Sequence, residues 1–420
     1  MAKRFWLLGV AGLISVALLV ACGSKYNSSS QGLVLVGSQG SSVIQTYSFN
    51  LNTGHAAAVS NSTNDTGNQT CLLNGSPADM VVNPAGTFAF VVFNSSTQCP
   101  NATNPGIAVF QIKSDGTLAQ VGELVGGAVV SLAMDAAGKF LFAAQGSVVG
   151  VFAIAADGKL TPAGEASPIG LMPQTPNIVA VAATPTVFPG TGINGTQNSV
   201  CSVPGNNPPT SQYLYAVDAT NYVVWEYAVD TSTGALANPP GTTTPPSFST
   251  EAVPAGIAVD PCDRFVYVSG SLHNKLNAYT ICTSVIAGGA CPEANGALVD
   301  VSGSPFAVSG SANGLGPLVV DPFGNHVYVV GTFSNTVSAF KISPVSGSLT
   351  ALNPATVATG TGPKSIAIRQ DNNWMFVTNY GSVGQGGSTV SQYSITPATG
   401  ALSVLPTLQT DNYPFGVAVK

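Results

Sequence analysis

One unit of sequence recurs seven times along this chain of 420 residues, and it constrains the fold more than any other feature. Two clear copies are 335–352, NTVSAFKISPVSGSLTAL, and 388–405, STVSQYSITPATGALSVL. In each copy, a run of alternating apolar and polar residues reaches an aromatic residue, passes through a turn containing glycine, and continues as a second alternating run. Alternation with a period of two indicates a strand with one buried face, and a short glycine-containing link between two such runs indicates a hairpin.

The seven copies share an aromatic position and a turn glycine. The aromatic residues are Tyr47, Phe110, Phe152, Tyr227, Tyr279, Phe340 and Tyr393. The turn glycines are Gly54, Gly116, Gly158, Gly234, Gly296, Gly347 and Gly400. A repeat of this length that is made only of strands is typical of the blades of a β-propeller.

A second hairpin precedes five of the copies, so each blade is predicted to have four strands. Its sequences superimpose without gaps at 81–92, 133–144, 258–269, 319–330 and 367–378. Asp or Asn opens four of these turns, where its side chain can accept hydrogen bonds from the backbone beyond it. We therefore interpret three acidic residues as turn formers and not as catalytic acids: Asp135, Asp260 and Asp321.

The first blade lacks an opening strand, and the C-terminus supplies a matching segment. Strands are predicted at 33–37 and 43–50, whereas 414–420, PFGVAVK, resembles the blade openings at 254–259 and 363–368. We therefore predict an all-β fold: a single seven-bladed propeller of four-stranded blades over residues 32–420, with the C-terminal strand paired into the first blade. This pairing would close the ring.

The N-terminus has the features of an export signal. Lys3 and Arg4 precede an uncharged apolar run, 5–21, that is too short to span a membrane comfortably. The run ends in Leu-Val-Ala followed by Cys22, which resembles the lipobox of bacterial lipoproteins. That resemblance implies a signal peptide at 1–21 and acylation of Cys22, including palmitate-type chains. The alternative is an ordinary secretory signal in which the cysteine is incidental.

Residues 22–31 are predicted to be the lipidated cysteine and a flexible tether to the propeller. The protein is therefore expected in the bacterial cell envelope, held to the membrane through Cys22 and facing the periplasm or the exterior. The membrane of residence, inner or outer, stays open. Charged residues are only 7% of the chain and no basic cluster is present, which argues against nucleic acid as a partner.

Six cysteines remain besides Cys22, an even number that suggests disulfides in an exported protein. Because propeller loops alternate between two faces, the blade register predicts three pairs: Cys71–Cys99, Cys201–Cys262 and Cys282–Cys291. The alternative is a metal site, but the chain has no CxxC pair and only three histidines. No metal and no cofactor is predicted.

The combined repeat resembles the lactonase-like seven-bladed propellers, which include bacterial 6-phosphogluconolactonases and YVTN-type surface propellers. The matching sequences are 320–330 with 335–352 and 369–380 with 388–405. The resemblance implies the propeller fold and, if the chain is an enzyme, a lactonase, which is a carboxylic ester hydrolase. Because 6-phosphogluconolactone is a cytoplasmic metabolite, activity on that compound itself does not fit an envelope protein.

His273 is the candidate catalytic residue, because hydrolysis of an ester needs a base close to the attacking water. It lies in the predicted loop between the second and third strands of blade five. Candidate ligand-binding residues at the same mouth of the propeller are Asp79, Asn274, Lys275, Lys364, Asn379 and Tyr380. The alternative is a solvated polar rim without catalytic function.

Other charged and polar residues are assigned structural roles. His326 aligns with Phe88, Phe140, Phe265 and Trp374, which predicts a packing role, and His55 follows a turn glycine and is predicted to be solvated. The two arginines of the predicted mature chain, Arg264 and Arg369, occupy first turns on the face away from His273.

Two functional hypotheses result from the sequence. The first is an envelope lipoprotein that binds, and as an enzyme would hydrolyse, a sugar-like or lactone ligand at the mouth bearing His273. The second is a non-catalytic scaffold that binds another envelope protein or a polysaccharide. The ligand and the oligomeric state stay open.

Overall fold

The computed structural model describes residues 30–59, 76–94, 105–168, 170–184, 212–283, 291, 295–310, 314–382 and 385–420. The predicted signal peptide, the tether up to residue 29 and the segment 187–211, which is rich in Gly, Pro and Asn, lie outside the described residues. The described residues form seven antiparallel sheets and no α-helix.

Each sheet is one blade, and its innermost strand lines the channel of the propeller. Blade one contains, from the inside outward, β30 (Pro414–Val419), β1 (Gln31–Ser38), β2 (Val43–Asn50) and β3 (Ala56–Ala58). Blade two contains β4 (Ser76–Val82), β5 (Phe88–Asn94), β6 (Gly106–Ile112) and β7 (Leu118–Val125). Blade three contains β8 (Ser131–Met134), β9 (Phe140–Gln145), β10 (Val148–Ile154) and β11 (Leu160–Ala166).

The remaining four blades have the same order, and two of them carry a fifth short strand. Blade four contains β12 (Ile178–Ala183), β13 (Gln212–Asp218), β14 (Val223–Val229), β15 (Leu236–Ala237) and β16 (Ser247–Ser249). Blade five contains β17 (Pro254–Val259), β18 (Phe265–Gly270), β19 (Lys275–Ile281), β20 (Leu298–Asp300) and β21 (Phe306–Ala307). Blade six contains β22 (Leu315–Val320), β23 (His326–Gly331), β24 (Thr336–Ile342) and β25 (Leu349–Ala358). Blade seven contains β26 (Pro363–Ile368), β27 (Trp374–Ser382), β28 (Gln385–Thr396) and β29 (Ala401–Gln409).

The innermost strands form a closed ring around a central channel. Strand β30 contacts β4, and the contacts continue through β8, β12, β17, β22 and β26 back to β30. Strand β30 also pairs antiparallel with β1, placing Val34 opposite Val419 and Leu35 opposite Ala418. The predicted all-β seven-bladed propeller, closed by the C-terminal strand, is therefore confirmed. A membrane-spanning helix was not found among the residues that the structure describes.

The turn glycines of the repeat pack neighbouring blades together. A Cβ atom on Gly347 would lie only 2.5 Å from the Phe265 ring of the preceding blade, so only glycine fits there. The Tyr267 hydroxyl donates a hydrogen bond of 2.9 Å to the Gly347 carbonyl oxygen. Gly400 lies in the same way against His326, which confirms the predicted packing role of that histidine.

The loops alternate between two faces of the ring. The turn face carries the hairpin turns such as 135–139 and 343–348, which join first to second and third to fourth strands. The mouth face carries the loops between second and third strands, such as 271–274, and the links between blades, such as 410–413. His273 therefore lies on the mouth face, as predicted.

The turn face uses its charged side chains to build turns. Asp135 Oδ1 accepts hydrogen bonds from the backbone N–H groups of Lys139 and Phe140. Asp260 binds the Arg264 guanidinium through two bonds of 2.8 Å, and Arg369 Nε donates to the C-terminal residue's carbonyl oxygen. The predictions for the turn-forming aspartates and for the two arginines are thus confirmed.

The glycine-rich segment 381–388 of blade seven forms additional strand pairs. Strands β27 and β28 continue into it, pairing Gly381 with Gly386 and Ser382 with Gln385. Glycines permit this because a Cβ atom on Gly387 would collide with the backbone carbonyl of Asn379. The result is a β-hairpin that extends from blade seven on the mouth face.

Candidate functional site on the mouth face

One residue position recurs at the mouth-face end of every inner strand. The residue at this position comes directly after the proline, or its equivalent, that opens an inner strand. Five of the seven positions hold small or branched aliphatic residues, and two hold large ones. In blade order from one to seven they are Phe415, Ala78, Val130, Val179, Ala255, Gly316 and Lys364. The wall formed by blades seven and one is therefore chemically distinct from the rest of the entrance.

The loops of blade five bring His273 and Lys275 together on one carboxylate, that of Glu251. His273 Nδ1 lies 2.8 Å from Glu251 Oε2, and Lys275 Nζ lies 3.0 Å from Glu251 Oε1. The Glu251 backbone N–H donates a hydrogen bond of 2.8 Å to Asn277 Oδ1 in β19, which fixes the position of the carboxylate.

The contact with Glu251 determines which ring nitrogen of His273 carries the hydrogen in the neutral imidazole. The hydrogen bond from His273, assisted by Lys275, lowers the pKa of the Glu251 carboxyl, although partial burial opposes this. An ionised carboxylate can only accept hydrogen bonds, so Nδ1 of His273 carries a hydrogen, and in the neutral form of the imidazole the lone pair is on Nε2. With 53% of the His273 side chain exposed, Nε2 is accessible to water and to a ligand.

Glu251 was not among the residues predicted from the sequence. It lies in the link between blades four and five, three residues before the opening proline, Pro254. The backbone N–H groups of Ser271 and Leu272 donate to the carbonyl oxygens of Val253 (2.9 Å) and Ala252 (3.5 Å), and these bonds hold the link against the His273 loop. The one signal in the sequence was an isolated acidic residue in a link that belongs to the mouth face.

A second group of mouth-face residues consists of Lys364, Tyr380, Tyr413 and Phe415, which we call the aromatic wall. The ring centroids of Tyr380 and Tyr413 are 5.1 Å apart, and Phe415 meets Tyr380 edge-on at 5.7 Å. Lys364 Nζ lies 6.0 Å from the centroid of the Tyr380 ring, within reach of a cation–π interaction. All four side chains are partly exposed.

The remaining predicted residues have structural partners. Asn379 is buried, accepting a hydrogen bond from the Gly360 N–H and donating to Thr389 Oγ1 and Ser391 Oγ. Asn274 has a left-handed backbone (φ 52°) that forms the turn after His273. Neither residue belongs to the exposed groups of the mouth face.

Asp79 lies in the inner strand of blade two. Its carboxylate accepts hydrogen bonds from the backbone N–H groups of Met80 (2.9 Å) and Leu132 (2.8 Å), linking blades two and three. Burial raises the pKa of Asp79 to about 6, and these hydrogen bonds oppose the rise. Protein encloses the carboxyl group while part of the residue stays solvent-accessible, as expected beside a narrow channel.

The mouth-face residues therefore form two groups. His273, Lys275 and Glu251 lie between blades four and five, and the aromatic wall lies between blades seven and one. No hydrogen bond or ion pair joins the two groups within the described ranges. Three or more His, Cys, Asp or Glu side chains that could hold a metal ion do not occur together in the described part of the chain.

One predicted disulfide is confirmed: Cys282 and Cys291 are bonded, with a Cα–Cα distance of 5.3 Å. Cys262 is also disulfide-bonded, but its predicted partner Cys201 lies outside the described residues. The pairs Cys201–Cys262 and Cys71–Cys99 thus stay predictions, the second because both of its cysteines lie outside the described residues.

The fold and its ring closure define a seven-bladed propeller of the lactonase-like class. The chain belongs to the family described as lactonase, 7-bladed beta-propeller, whose model matches residues 34–169 and 292–418. The aromatic wall lies within the matched segments. Glu251, His273 and Lys275 lie between them, so family membership does not bear on these three residues.

Solved structures show the same fold at low sequence identity. A candidate 6-phosphogluconolactonase from Bacteroides fragilis has a TM-score of 0.67 and 18% identity, covering 94% of this chain and 100% of its own. The periplasmic gluconolactonase of Pseudomonas aeruginosa has a TM-score of 0.64 and 19% identity, covering 93% of this chain and 99% of its own. No curated protein matches the sequence.

Proposed function

We propose that this protein is a lipid-anchored protein of the cell envelope whose lactonase-like propeller binds a sugar-like or lactone ligand at the mouth face and hydrolyses it there. The observation that carries the proposal is the 2.8 Å contact between His273 Nδ1 and Glu251 Oε2. It leaves an accessible base, Nε2, in a fixed tautomer beside the Lys275 ammonium group. Similarity to a structure named as a periplasmic gluconolactonase supports the same class of reaction.

The proposed reaction is the addition of water to a lactone. Nε2 of His273 accepts a proton from water while the water oxygen bonds to the carbonyl carbon. The Lys275 ammonium stabilises the negative charge that develops on the carbonyl oxygen. The ring C–O bond then breaks, and the departing oxygen takes the proton from Nε2, which yields the hydroxy acid and restores the base.

The topology supports an orientation for the anchored protein. Strand β1 begins at Gln31 on the turn face, nine residues after Cys22. A chain segment of that length spans about 30 Å at full extension. A lipid on Cys22 would therefore keep the turn face near the membrane and direct the mouth face away from it, where soluble ligands have access. Labelling with radioactive palmitate tests the anchor, and a Cys22→Ser protein that still incorporated the label would contradict it.

The hydrolytic proposal is tested with the full-length protein in detergent. We expect turnover of sugar or acyl lactones, reduced about 100-fold or more by His273→Ala, the size typical of losing a general base. His55→Ala is the matched control, because His55 is exposed on the turn face. Equal rates for the wild type and His273→Ala would show that His273 is not the base.

A second candidate function is a scaffold that binds another envelope protein or a polysaccharide. One observation favours it: large apolar side chains are exposed on the mouth face of neighbouring blades. They are Tyr222 (41% exposed), Val253 (40%), Leu272 (47%) and Phe333 (72%). The absence of turnover on every lactone, together with a crosslink in cells that Phe333→Ser removes, would favour this function over hydrolysis.

A further inference from the structure

The aromatic wall has the features of a ligand subsite distinct from the His273 group. We propose that Tyr380, Tyr413 and Lys364 bind an anionic sugar, a pyranose ring that carries a carboxylate. The ring would stack on the two tyrosines, and the carboxylate would contact the Lys364 ammonium group. This inference deepens the proposed function, since it rests on the mouth face being the ligand-binding face and specifies the ligand.

The first argument is the arrangement of the rings. Tyr380 and Tyr413 are inclined at 52° to each other, and Phe415 stands perpendicular to Tyr380 and supports it from the side. One face of a pyranose exposes C–H groups and packs on aromatic rings, while its edge carries hydroxyl groups. Neither tyrosine hydroxyl hydrogen-bonds to any described residue, so both are available to the hydroxyl groups of a sugar.

The second argument is the unpaired charge of Lys364. Lys275 on the same face is neutralised by Glu251, whereas no described carboxylate forms an ion pair with Lys364. A single unpaired ammonium group on a protein with a formal net charge of −6 suits one carboxylate better than a polyphosphate or another polyanion.

The third argument is the backbone of Tyr413. Its φ angle is 59°, a left-handed conformation that disfavours large side chains. The residue immediately before the opening proline is also left-handed in two other blades, as Gly362 (φ 61°) in blade seven and Val253 (φ 53°) in blade five. Blade one therefore places a tyrosine, whose ring contacts Tyr380, at a position that glycine occupies without strain in blade seven.

The surroundings hold the Tyr413 ring in place. Added Cβ atoms on Gly40 and Gly386 would each lie 2.9 Å from that ring, so glycines on two neighbouring loops make room for it. The Tyr413 N–H donates to the Gly387 carbonyl oxygen at 2.8 Å, and the Tyr413 carbonyl oxygen accepts from the Gln39 N–H at 2.9 Å. The ring is therefore positioned before any ligand binds, which lowers the entropic cost of binding.

Isothermal titration calorimetry of the full-length protein with D-glucuronate tests the subsite. We expect glucuronate to bind and Tyr413→Gly to weaken its affinity about tenfold; this variant removes the ring and suits the left-handed backbone. Lys364→Met should weaken glucuronate about tenfold but leave D-glucose, which lacks the carboxylate, unchanged. Matched controls on the same face are Tyr222→Gly, which also replaces a left-handed tyrosine, and Lys275→Met.

The outcomes separate this inference from the hydrolytic proposal. No heat of binding for glucuronate, or equal affinities in the wild type, Tyr413→Gly and Lys364→Met, would overturn the subsite even if lactone turnover depended on His273. Glucuronate binding that is lost in both variants and kept in His273→Ala would support the subsite even if no lactone were hydrolysed. Loss of binding in Lys275→Met but not in Lys364→Met would place the carboxylate in the other group and refute the assignment.

Discussion

His326 and His273 make the same contact and have opposite surroundings. His326 Nδ1 lies 2.7 Å from Asp321 Oδ2, and His273 Nδ1 lies 2.8 Å from Glu251 Oε2. The first side chain is 2% exposed and fills an aromatic packing position on the turn face, whereas the second is 53% exposed on the mouth face. A histidine–carboxylate pair alone therefore does not indicate a catalytic site, because burial determines whether the other ring nitrogen of the histidine can contact a ligand.

The same contrast extends to the cations of the two faces. On the turn face, Arg264 is buried and bonded to Asp260, to the Gly324 carbonyl oxygen and to the Pro344 carbonyl oxygen. On the mouth face, Lys275 is 40% exposed and Lys364 has no ionic partner in the described residues. Arg264 thus uses its charge to hold blades five and six together, whereas the ammonium groups of Lys275 and Lys364 stay partly exposed.

Among the variants that test this contrast between the two faces, Arg264→Ala is expected to lower the free energy of unfolding most. Removing the guanidinium leaves the Asp260 carboxylate, 0% exposed, without its counter-ion. Loss of one partner of a buried pair typically lowers the free energy of unfolding by about 3–5 kcal/mol. Urea denaturation measures the loss. Lys275→Ala is the control, since an exposed pair contributes about 1 kcal/mol or less; equal losses for both variants would remove the distinction between the faces.

Glu226 is a buried ionisable group that, unlike Asp260, has no cationic partner among the described residues. It is fully buried, and neither of its carboxyl oxygens has a hydrogen-bond partner in the described part of the chain. Burial raises the pKa of Glu226 to about 8. A Cβ atom on Gly296 would lie 2.6 Å from Glu226 Oε1, so the hairpin of blade five closes over this group.

The raised pKa predicts that stability falls as pH rises. Below about pH 4.5 the group is neutral in both states and carries no penalty; between there and about pH 8 only the unfolded chain ionises, so the folded state becomes progressively less favoured. Above that range the penalty is constant. Urea denaturation between about pH 4.5 and pH 8 measures this decrease in the free energy of unfolding. We expect the decrease to be about 2–4 kcal/mol smaller in Glu226→Gln than in the wild type.

Asp263 complicates this measurement, because its pKa is also raised to about 8 by burial and by the neighbouring Asp260. Glu226→Gln should therefore reduce the pH dependence of unfolding without abolishing it. Glu165→Gln, on the exposed strand β11, is the control and should leave the dependence unchanged. A pH profile of Glu226→Gln that overlays the wild type would show that Glu226 ionises normally in the folded protein.

The sequence was sufficient to predict the contacts that recur in every blade of the repeat. Alignment of the blades placed His326 among aromatic packing residues and predicted that 414–420 would complete blade one. Both are consequences of contacts that recur from blade to blade, so several copies of the same pattern supported each prediction.

The mouth face was less predictable because its contacts occur once. Glu251 meets His273 only through the way two loops of different blades fold together, and no copy in another blade reveals it. Asn379 appeared accessible because its neighbour Tyr380 is, yet alternation along a strand turns consecutive side chains to opposite sides. Phe415 was predicted only as part of the closing strand at 414–420 and Tyr413 was assigned no role, so the contribution of both residues to the aromatic wall was missed.

The smallest expected changes in the free energy of unfolding are those of two single variants, His326→Phe and His273→Phe. Phenylalanine occupies the position of His326 in blades two, three and five, so His326→Phe should pack well and lose mainly the hydrogen bond to Asp321. Asp321 keeps its bonds from the Asn325 N–H (2.9 Å) and from Asn372 Nδ2 (3.2 Å). The free energy of unfolding should fall by about 1–2 kcal/mol, the cost of one charge-assisted hydrogen bond.

His273→Phe should change the free energy of unfolding by about 0.5 kcal/mol or less, as usual for an exposed site, while removing lactone turnover. Urea denaturation and the lactone assay, applied to both variants, show which histidine contributes to stability and which to turnover. A stable His326→Phe protein with impaired turnover would mean that the turn-face pair contributes to the reaction. A His273→Phe protein that unfolds as readily as His326→Phe would mean that the mouth-face pair holds its two loops together, and its solvent-exposed nitrogen would then not be evidence of catalysis.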